Sequence, residues 1–225
     1  MVKLMLALDV VDKKEALKIA DETSDYVDAI KIGYPLVLAV GLDIVREIKD
    51  KTKKEVICDF KVADIPPTNE KIANLTLKYA DGIICHGFVG KDSVKAIQKI
   101  AKQYEMETDS KKKVIMVTEM SHPGAVEFIQ PIADELAEVA KELNVSGVVA
   151  PSTRPERLNE IKNIVGDIPI ISPGIGAQGG DLDEILSILD KKDYVIVGRA
   201  IYENENPRKS AYQYNILLNK SIYKK

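Results

Sequence analysis

The segment 58–66, Cys-Asp-Phe-Lys-Val-Ala-Asp-Ile-Pro, places two acids and a lysine at the end of an apolar run. If this run is a strand that leads into a loop, alternation of side chains puts Asp59 and Lys61 on one face and displays Asp64 beyond the strand end. Two carboxylates beside one ammonium would keep the lysine protonated, and its charge would reduce the repulsion between the acids. The pattern indicates a proton donor that needs no metal ion, and a salt-bridged strand end is the alternative interpretation.

Short apolar runs alternate with longer amphipathic segments along the whole chain. The runs typical of strands buried on both faces are 4–8, 29–32, 56–60, 82–85, 114–117, 147–150, 168–171 and 194–197. The segments typical of helices are 13–26, 42–49, 68–78, 93–104, 132–143, 155–165, 183–189 and 207–218. This α/β alternation predicts a (β/α)8 TIM barrel as a single domain, 1–225, with a doubly wound open sheet as the alternative.

Polar residues and glycines cluster where the predicted strands end. In a barrel all these ends open on one face, which is where barrel enzymes have their active sites. Residues far apart in the sequence are therefore expected to meet there. They are Asp9, Lys31, Gly33, Asp59, Lys61, His86, Gly87, Glu119, Ser121, Pro151, Ser152, the segment 172–180, Gly198 and Arg199.

The loops after the seventh and eighth strands have features that suit an anion. Segment 172–180 reads Ser-Pro-Gly-Ile-Gly-Ala-Gln-Gly-Gly, and Gly198 precedes Arg199. Glycines let backbone N–H groups approach an anion, and a guanidinium can hold it with paired hydrogen bonds. We expect a phosphorylated substrate and a loop that can act as a lid. A surface turn with a solvated arginine is the alternative.

Taken together, these segments resemble the orotidine 5'-phosphate decarboxylase family. Lys31-Ile32-Gly33 precedes Asp59-x-Lys61-x-x-Asp64, and segments 118–124, 172–180 and 197–199 follow in the same order. The resemblance implies an enzyme of pyrimidine biosynthesis that converts orotidine 5'-monophosphate to uridine 5'-monophosphate without a metal or other cofactor.

The resemblance also implies catalytic roles. Lys61 would protonate carbon 6 of the pyrimidine as CO2 leaves, and Asp59 would lie against the departing carboxylate. Lys31 and Asp64 would complete an alternating Lys-Asp-Lys-Asp array that keeps Lys61 charged. Because Lys31 lies inside an apolar run, it should be partly buried and need anionic partners, for which Asp59 and Asp64 are expected.

Other residues match the family's contacts with substrate. Asp9 would accept hydrogen bonds from the ribose hydroxyls, with a helix N-cap as the alternative. Ser121 would bond to the pyrimidine and Ser152 would line the base pocket, although each could be a turn residue or cap. Gln178 would contact the phosphate. The remaining predicted contacts are Pro173, Gly198 and Arg199.

The segment after the third strand has a second implied role. By the same resemblance, Asp64, Ile65 and Thr68 would reach into the active site of a neighbouring subunit. The resemblance thus implies a homodimer with shared sites.

Composition and charge narrow the class of protein. The net charge is −3 and lysines are mixed with acids, so no basic face for nucleic acid is predicted. Asp9 interrupts the apolar start, 1–8, too early for a membrane span or secretory core. Cys58 and Cys85 are expected to be small buried residues rather than a disulfide or ligands, so a cytoplasmic protein is predicted. Segment 105–113 is predicted to be an exposed connection.

Two rival functions remain open on the sequence. Metal-dependent sugar-phosphate lyases and decarboxylases share the Asp-x-Lys-x-x-Asp signature but have a metal-binding glutamate on the second strand. This chain has Lys31 at that position, and a cation would repel Mg²⁺. The second rival is a barrel without catalytic activity that senses a nucleotide phosphate. Such a protein would not need a lysine ammonium held between two carboxylates.

Overall fold

The computed structural model describes residues 1–174 and 182–220, in which parallel strands close into a barrel. The strands are β1 (Lys3–Leu8), β2 (Ala29–Gly33), β3 (Glu55–Val62), β4 (Gly82–His86), β5 (Lys113–Val117), β6 (Gly147–Val149), β7 (Ile170–Pro173) and β8 (Tyr194–Val197). Each strand pairs with the next, and β1 also pairs with β8. The predicted (β/α)8 barrel is confirmed, and the open sheet is excluded because the described sheet has no free edge.

Helices follow the strands and cover the outside of the barrel. They are α1 (Lys13–Thr23), α2 (Tyr34–Val40), α3 (Asp43–Thr52), α4 (Pro66–Leu77), α5 (Lys91–Thr108), α6 (Ala125–Phe128), α7 (Ala133–Glu142), α8 (Pro155–Val165), α9 (Leu182–Ile188), α10 (Arg199–Tyr202) and α11 (Pro207–Lys220). The amphipathic pattern does not predict α2, α6 or α10. Helices α6 and α10 have four residues each, too few to display a period of 3.6, and α2 is apolar along its length and has no polar face. Among the helices of the described ranges, none is long and apolar enough to cross a membrane.

Several predicted boundaries differ from the structure, among them the following three. Strand β3 extends two residues beyond 56–60 at its carboxyl end. Strand β7 begins at Ile170 rather than at residue 168, since Pro169 has no N–H to donate to a ladder. The segment 105–113 is not wholly an exposed connection, because α5 runs to Thr108 and the buried Lys112 donates to the Ala80 carbonyl at 2.7 Å.

The core has an inner and an outer layer. Along β1, Met5 and Ala7 point into the barrel, whereas Leu4, Leu6 and Leu8 pack against the helices. The inner layer is completed by Ala29, Ile57, Ile84, Ile115, Val117, Val149, Ile171, Tyr194 and Ile196. Full burial of one such aliphatic side chain contributes about 1.5–3 kcal/mol. The barrel interior is thus packed with side chains, and polar groups at the carboxyl ends of the strands lie above an apolar floor.

Candidate active site

Asp59 and Lys61 lie together at the end of β3. Ile57 points into the barrel, so alternation directs Asp59 to the same side. The register between β3 and β4 then shifts, and Lys61 has a left-handed backbone with φ of 43°. Such a conformation costs a non-glycine residue about 1–3 kcal/mol and is typically retained at functional sites. It lets the Lys61 Nζ donate to both carboxylate oxygens of Asp59 at 2.9 Å.

Lys31 projects from β2 onto the other side of Asp59. Its residue is 7% exposed, and its Nζ lies 3.1 Å from Asp59 Oδ2 and 3.8 Å from Asp9 Oδ1. Within the described chain, Asp9 rather than the predicted Asp64 is the second anionic partner of Lys31, and a contact with Asp64 of another chain stays a prediction. A Cβ on Gly33 would lie 2.5 Å from Asp9 Oδ1, so glycine leaves the space for this carboxylate. The charges therefore alternate in the order Asp9, Lys31, Asp59, Lys61.

The two lysines decide the protonation state of Asp59. Burial would raise the pKa of this carboxyl, but the charges of Lys31 and Lys61 and their hydrogen bonds outweigh burial, so the pKa lies below its ordinary value. Asp59 is therefore ionised at neutral pH and supplies the anionic partner that the buried Lys31 needs.

The charged array lines a cavity of about 230 Å³ at the carboxyl ends of the strands. The cavity combines charged groups with apolar side chains from the inner core layer. Its lining consists of Ala7, Asp9, Lys31, Asp59, Lys61, Ile84, Met120, Ser121, Val149, Pro173, Gly174, Ile196, Gly198, Arg199 and Tyr202. Residues predicted from β1, β2, β3 and the loops after β5, β7 and β8 are thereby brought to one place.

The segment after β3 does not line this cavity. Asp64 and Ile65 are exposed, and Asp64 Oδ1 accepts a hydrogen bond from the Ile65 N–H at 2.7 Å. Thr68 is half-buried in the first turn of α4, where its N–H donates to the Ile65 carbonyl. Within one chain, the predicted fourth member of the charged array is thus separate from the other three.

Ser152 is also absent from the lining. It is fully buried, its Oγ lies 2.6 Å from Ser172 Oγ, and its N–H donates to the Pro173 carbonyl at 2.9 Å. Ser152 therefore ties β6 to β7 beside Pro173, and its role in the base pocket stays a prediction. The predicted phosphate contact Gln178 lies outside the described residues.

A buried ion pair holds the loop that carries Ser121. Glu119 is fully buried and accepts hydrogen bonds from Arg154 Nε at 2.8 Å and Arg157 Nε at 3.0 Å. Arg154 also donates to the Met120 carbonyl, and Thr153 Oγ1 donates to the Ser121 carbonyl at 2.8 Å. The sequence signal for this cluster is an acid two residues after an apolar run, since a buried carboxylate requires cationic partners.

The comparison with known proteins identifies the family. The sequence model of the orotidine 5'-phosphate decarboxylase / HUMPS family matches residues 2–214. The chain belongs to this family. A relative from Methanocaldococcus jannaschii named Orotidine 5'-phosphate decarboxylase is 66% identical over 220 residues, covering 98% of this chain and 100% of the relative. One of the same name from Methanococcus maripaludis is 64% identical over 216 residues, covering 96% of this chain and 97% of the relative.

Solved structures of named family members have the same fold. A crystal structure of orotidine 5'-monophosphate decarboxylase from M. jannaschii, complexed with inhibitor BMP, matches with a TM-score of 0.93 and 65% identity, covering 97% of this chain and 99% of that one. The Pyrococcus horikoshii orotidine 5'-phosphate decarboxylase matches with a TM-score of 0.86 and 44% identity, covering 96% and 99% of the two chains.

Several residues that line the cavity of this family member are not among the site residues predicted from the sequence. Ala7 and Ile196 lie two positions before Asp9 and Gly198, so inward alternation from those residues would find them. Tyr202 lies three positions after Arg199 and shares its side of α10, but this four-residue helix has no sequence signature.

His86 adds a neutral base beside the charged array. It ends β4 with its ring centroid 4.7 Å from that of Phe88, and its buried Nδ1 has no hydrogen-bond partner in the described part of the chain. Burial and the charge of Lys61 lower its pKa to about 4, against the opposing charge of Asp59. His86 is thus uncharged at neutral pH and does not repel the nearby ammonium groups.

Proposed function

We propose that this member of the orotidine 5'-phosphate decarboxylase / HUMPS family converts orotidine 5'-monophosphate to uridine 5'-monophosphate and CO2 in pyrimidine biosynthesis. One observation carries the mechanism: ionised Asp59 lies between two ammonium groups at a cavity, 3.1 Å from Lys31 Nζ and 2.9 Å from Lys61 Nζ. The 66% identity to a relative of that name supports the activity.

Lys61 performs the proton transfer in this proposal. Its side chain is 35% exposed, so it can meet a ligand. As the bond between carbon 6 and the carboxylate breaks, the electron pair stays on carbon 6 and takes a proton from Nζ to form the C–H bond. The ammonium charge stabilises the developing carbanion, an interaction that strengthens toward the transition state. Water then returns a proton to the neutral amine.

The remaining lining residues place the substrate. Arg199 and the Gly198 backbone bind the phosphate next to Pro173, and Gln178 is proposed to join them. Asp9 accepts hydrogen bonds from the ribose, and Ser121 bonds to the pyrimidine. Binding energy gained at the phosphate then orders the charged array around the distant ring.

Replacing Arg199 with alanine tests the phosphate site. We expect kcat/KM for orotidine 5'-monophosphate to fall about 10²- to 10³-fold, because truncation leaves a bound phosphate without its charged partner. The variant should turn over the phosphate-free nucleoside orotidine at the wild-type rate. Arg208→Ala, which removes an exposed guanidinium paired with Asp25, is the control. Equal losses with nucleotide and nucleoside would contradict the assignment.

A metal-dependent sugar-phosphate lyase is the rival to exclude. Lys31 argues against such a lyase, because its ammonium lies against Asp59. A metal-dependent lyase would need a metal-binding acid at the position that Lys31 occupies. We expect EDTA-treated protein to convert orotidine 5'-monophosphate at the same rate as untreated protein, as measured by the loss of the substrate's ultraviolet absorbance. Metal-dependent activity on a sugar phosphate would support the lyase, and binding without turnover would support a sensor.

The active site is proposed to be completed by a second copy of the chain. Asp64, Ile65 and Thr68 do not line the cavity of their own chain. Three large apolar side chains after adjacent strands are exposed: Tyr34, Ile65 and Phe88 follow β2, β3 and β4 and are 46%, 64% and 51% exposed. Exposed apolar groups of this kind mark interaction surfaces. In a homodimer, Asp64 of one chain would lie beside Lys61 of the other.

Mixed variants test this sharing. Lys61→Ala and Asp64→Asn chains should each be inactive alone, but a hybrid dimer contains one site with both native residues. Random exchange of equal amounts should recover about a quarter of the wild-type activity, because half the dimers are hybrids with one intact site in two. No recovery after exchange has been verified by mass spectrometry would show that the sites are not shared.

The cytoplasm is the proposed compartment. Cys58 and Cys85 are both buried free thiols, and unpaired cysteines are typical of reducing compartments.

A further inference from the structure

Two buried side chains hold the backbone of Asp64. Asn69 on α4 is 1% exposed and Ser93 on α5 is 2% exposed. The Asp64 N–H donates to Asn69 Oδ1 at 3.2 Å, and Ser93 Oγ donates to the Asp64 carbonyl at 2.9 Å. Asn69 Nδ2 also donates to the Ser93 carbonyl at 3.3 Å. Two of these hydrogen bonds hold the N–H and the carbonyl of Asp64, and the third joins the helices α4 and α5 to each other.

These hydrogen bonds fix the backbone of an exposed residue through two buried side chains. Water could satisfy the backbone of an exposed loop, yet here both backbone groups of Asp64 bond to buried side chains. Its carboxylate stays exposed and accepts the Ile65 N–H at 2.7 Å. Neither Asn69 nor Ser93 lines the cavity, so within the described chain the hydrogen bonds act on the loop and not on a bound substrate.

We infer that Asn69 and Ser93 are positioning residues that fix Asp64 for the active site of the partner subunit, an inference that rests on the proposed sharing of sites. The carboxylate must sit close to the partner's Lys61 to hold that ammonium charged and in place. A displacement of about 1 Å at such a group can lower the rate about 10²-fold. The function of these two residues is therefore exerted across the dimer interface.

The kinetic effect should fall on kcat. Asn69→Ala is expected to lower kcat by about 10²-fold, and Ser93→Ala, which removes one of the three hydrogen bonds, by about tenfold. KM for orotidine 5'-monophosphate should change little, because Arg199 and the other phosphate contacts remain. An equal rise in KM with unchanged kcat would contradict a role through Asp64.

Hybrid dimers decide in which subunit Asn69 acts. Mixed with Lys61→Ala chains, Asn69→Ala chains should recover activity, since the native Lys61 then receives Asp64 from a chain that has Asn69. Mixed with Asp64→Asn chains they should recover none. Recovery only in the second mixture would place the action of Asn69 in its own cavity and overturn the inference.

Two further measurements separate positioning from folding. The mixture of Lys61→Ala with Asp64→Asn is the reference: if it fails, sharing fails and the inference with it, whereas failure of the Asn69 mixture alone overturns the inference only. Ser93→Ala, the milder change, is carried through the same mixtures. Thr23→Val is its matched control, because Thr23 is a fully buried residue whose hydroxyl donates to the Ile19 carbonyl at 2.7 Å on α1. If Ser93→Ala and Thr23→Val lowered the urea midpoint alike and left kcat unchanged, Ser93 would be structural only.

Discussion

Replacing Lys61 with alanine should lower kcat for orotidine 5'-monophosphate by at least about 10⁴-fold, since it removes both the proton donor and the charge that stabilises the carbanion. This corresponds to about 5.5 kcal/mol of transition-state stabilisation. KM should change much less, because Arg199, Gly198 and Pro173 keep the phosphate site intact. Steady-state absorbance measurements at saturating substrate give kcat directly.

Two further variants separate charge from proton transfer at this position. Lys61→Arg keeps a cation beside Asp59 but provides a guanidinium, which does not release its proton at neutral pH. It should retain the wild-type unfolding midpoint and remain nearly inactive. Lys49→Ala is the matched control, because Lys49 also pairs with an aspartate, Asp81 at 2.5 Å, outside the cavity. Wild-type turnover by Lys61→Ala would remove the basis of the proposed mechanism.

The barrel could be predicted because its signal is local. Strands buried on both faces read as apolar runs, and eight such runs alternating with amphipathic segments leave few other architectures. The clustering of Asp59, Lys61 and Arg199 follows from topology alone, since all strands of such a barrel end on one face.

What could not be predicted depends on register and on packing between elements. Asp9 becomes a partner of Lys31 because Ala7 pairs with Lys31 across β1 and β2, which places Asp9 just beyond that pair. The order of apolar and polar residues in the sequence does not reveal this register between β1 and β2. Ser152 lies beside Pro173 for a similar reason, because its contacts with Ser172 are set by the pairing of β6 with β7.

Replacing Asp59 with asparagine should also remove most of the activity. We expect kcat to fall about 10³-fold, because the neutral amide no longer orients the Lys61 ammonium or opposes the substrate carboxylate. KM should stay constant or fall, since a repulsion in the bound ground state is removed together with the carboxylate charge. A rise in KM with unchanged kcat would contradict this role.

The same substitution should also cost stability, in a manner that depends on pH. Loss of the carboxylate leaves the buried Lys31 with Asp9 alone at 3.8 Å, and breaking a buried pair in this way costs about 3–5 kcal/mol. Because the pKa of Asp59 is lowered in the folded protein, its stabilising contribution is fully present above the ordinary aspartate pKa of about 3.9 and is lost as the pH falls through the lower folded value. Urea unfolding should therefore show a difference in unfolding free energy between wild type and Asp59→Asn at pH 7 that narrows in acid.

Asp81→Asn, which breaks the Lys49 pair outside the cavity, controls for loss of an ion pair and should leave kcat unchanged. A difference between wild type and Asp59→Asn that widened on acidification would mean that Asp59 is not held ionised by its two lysines.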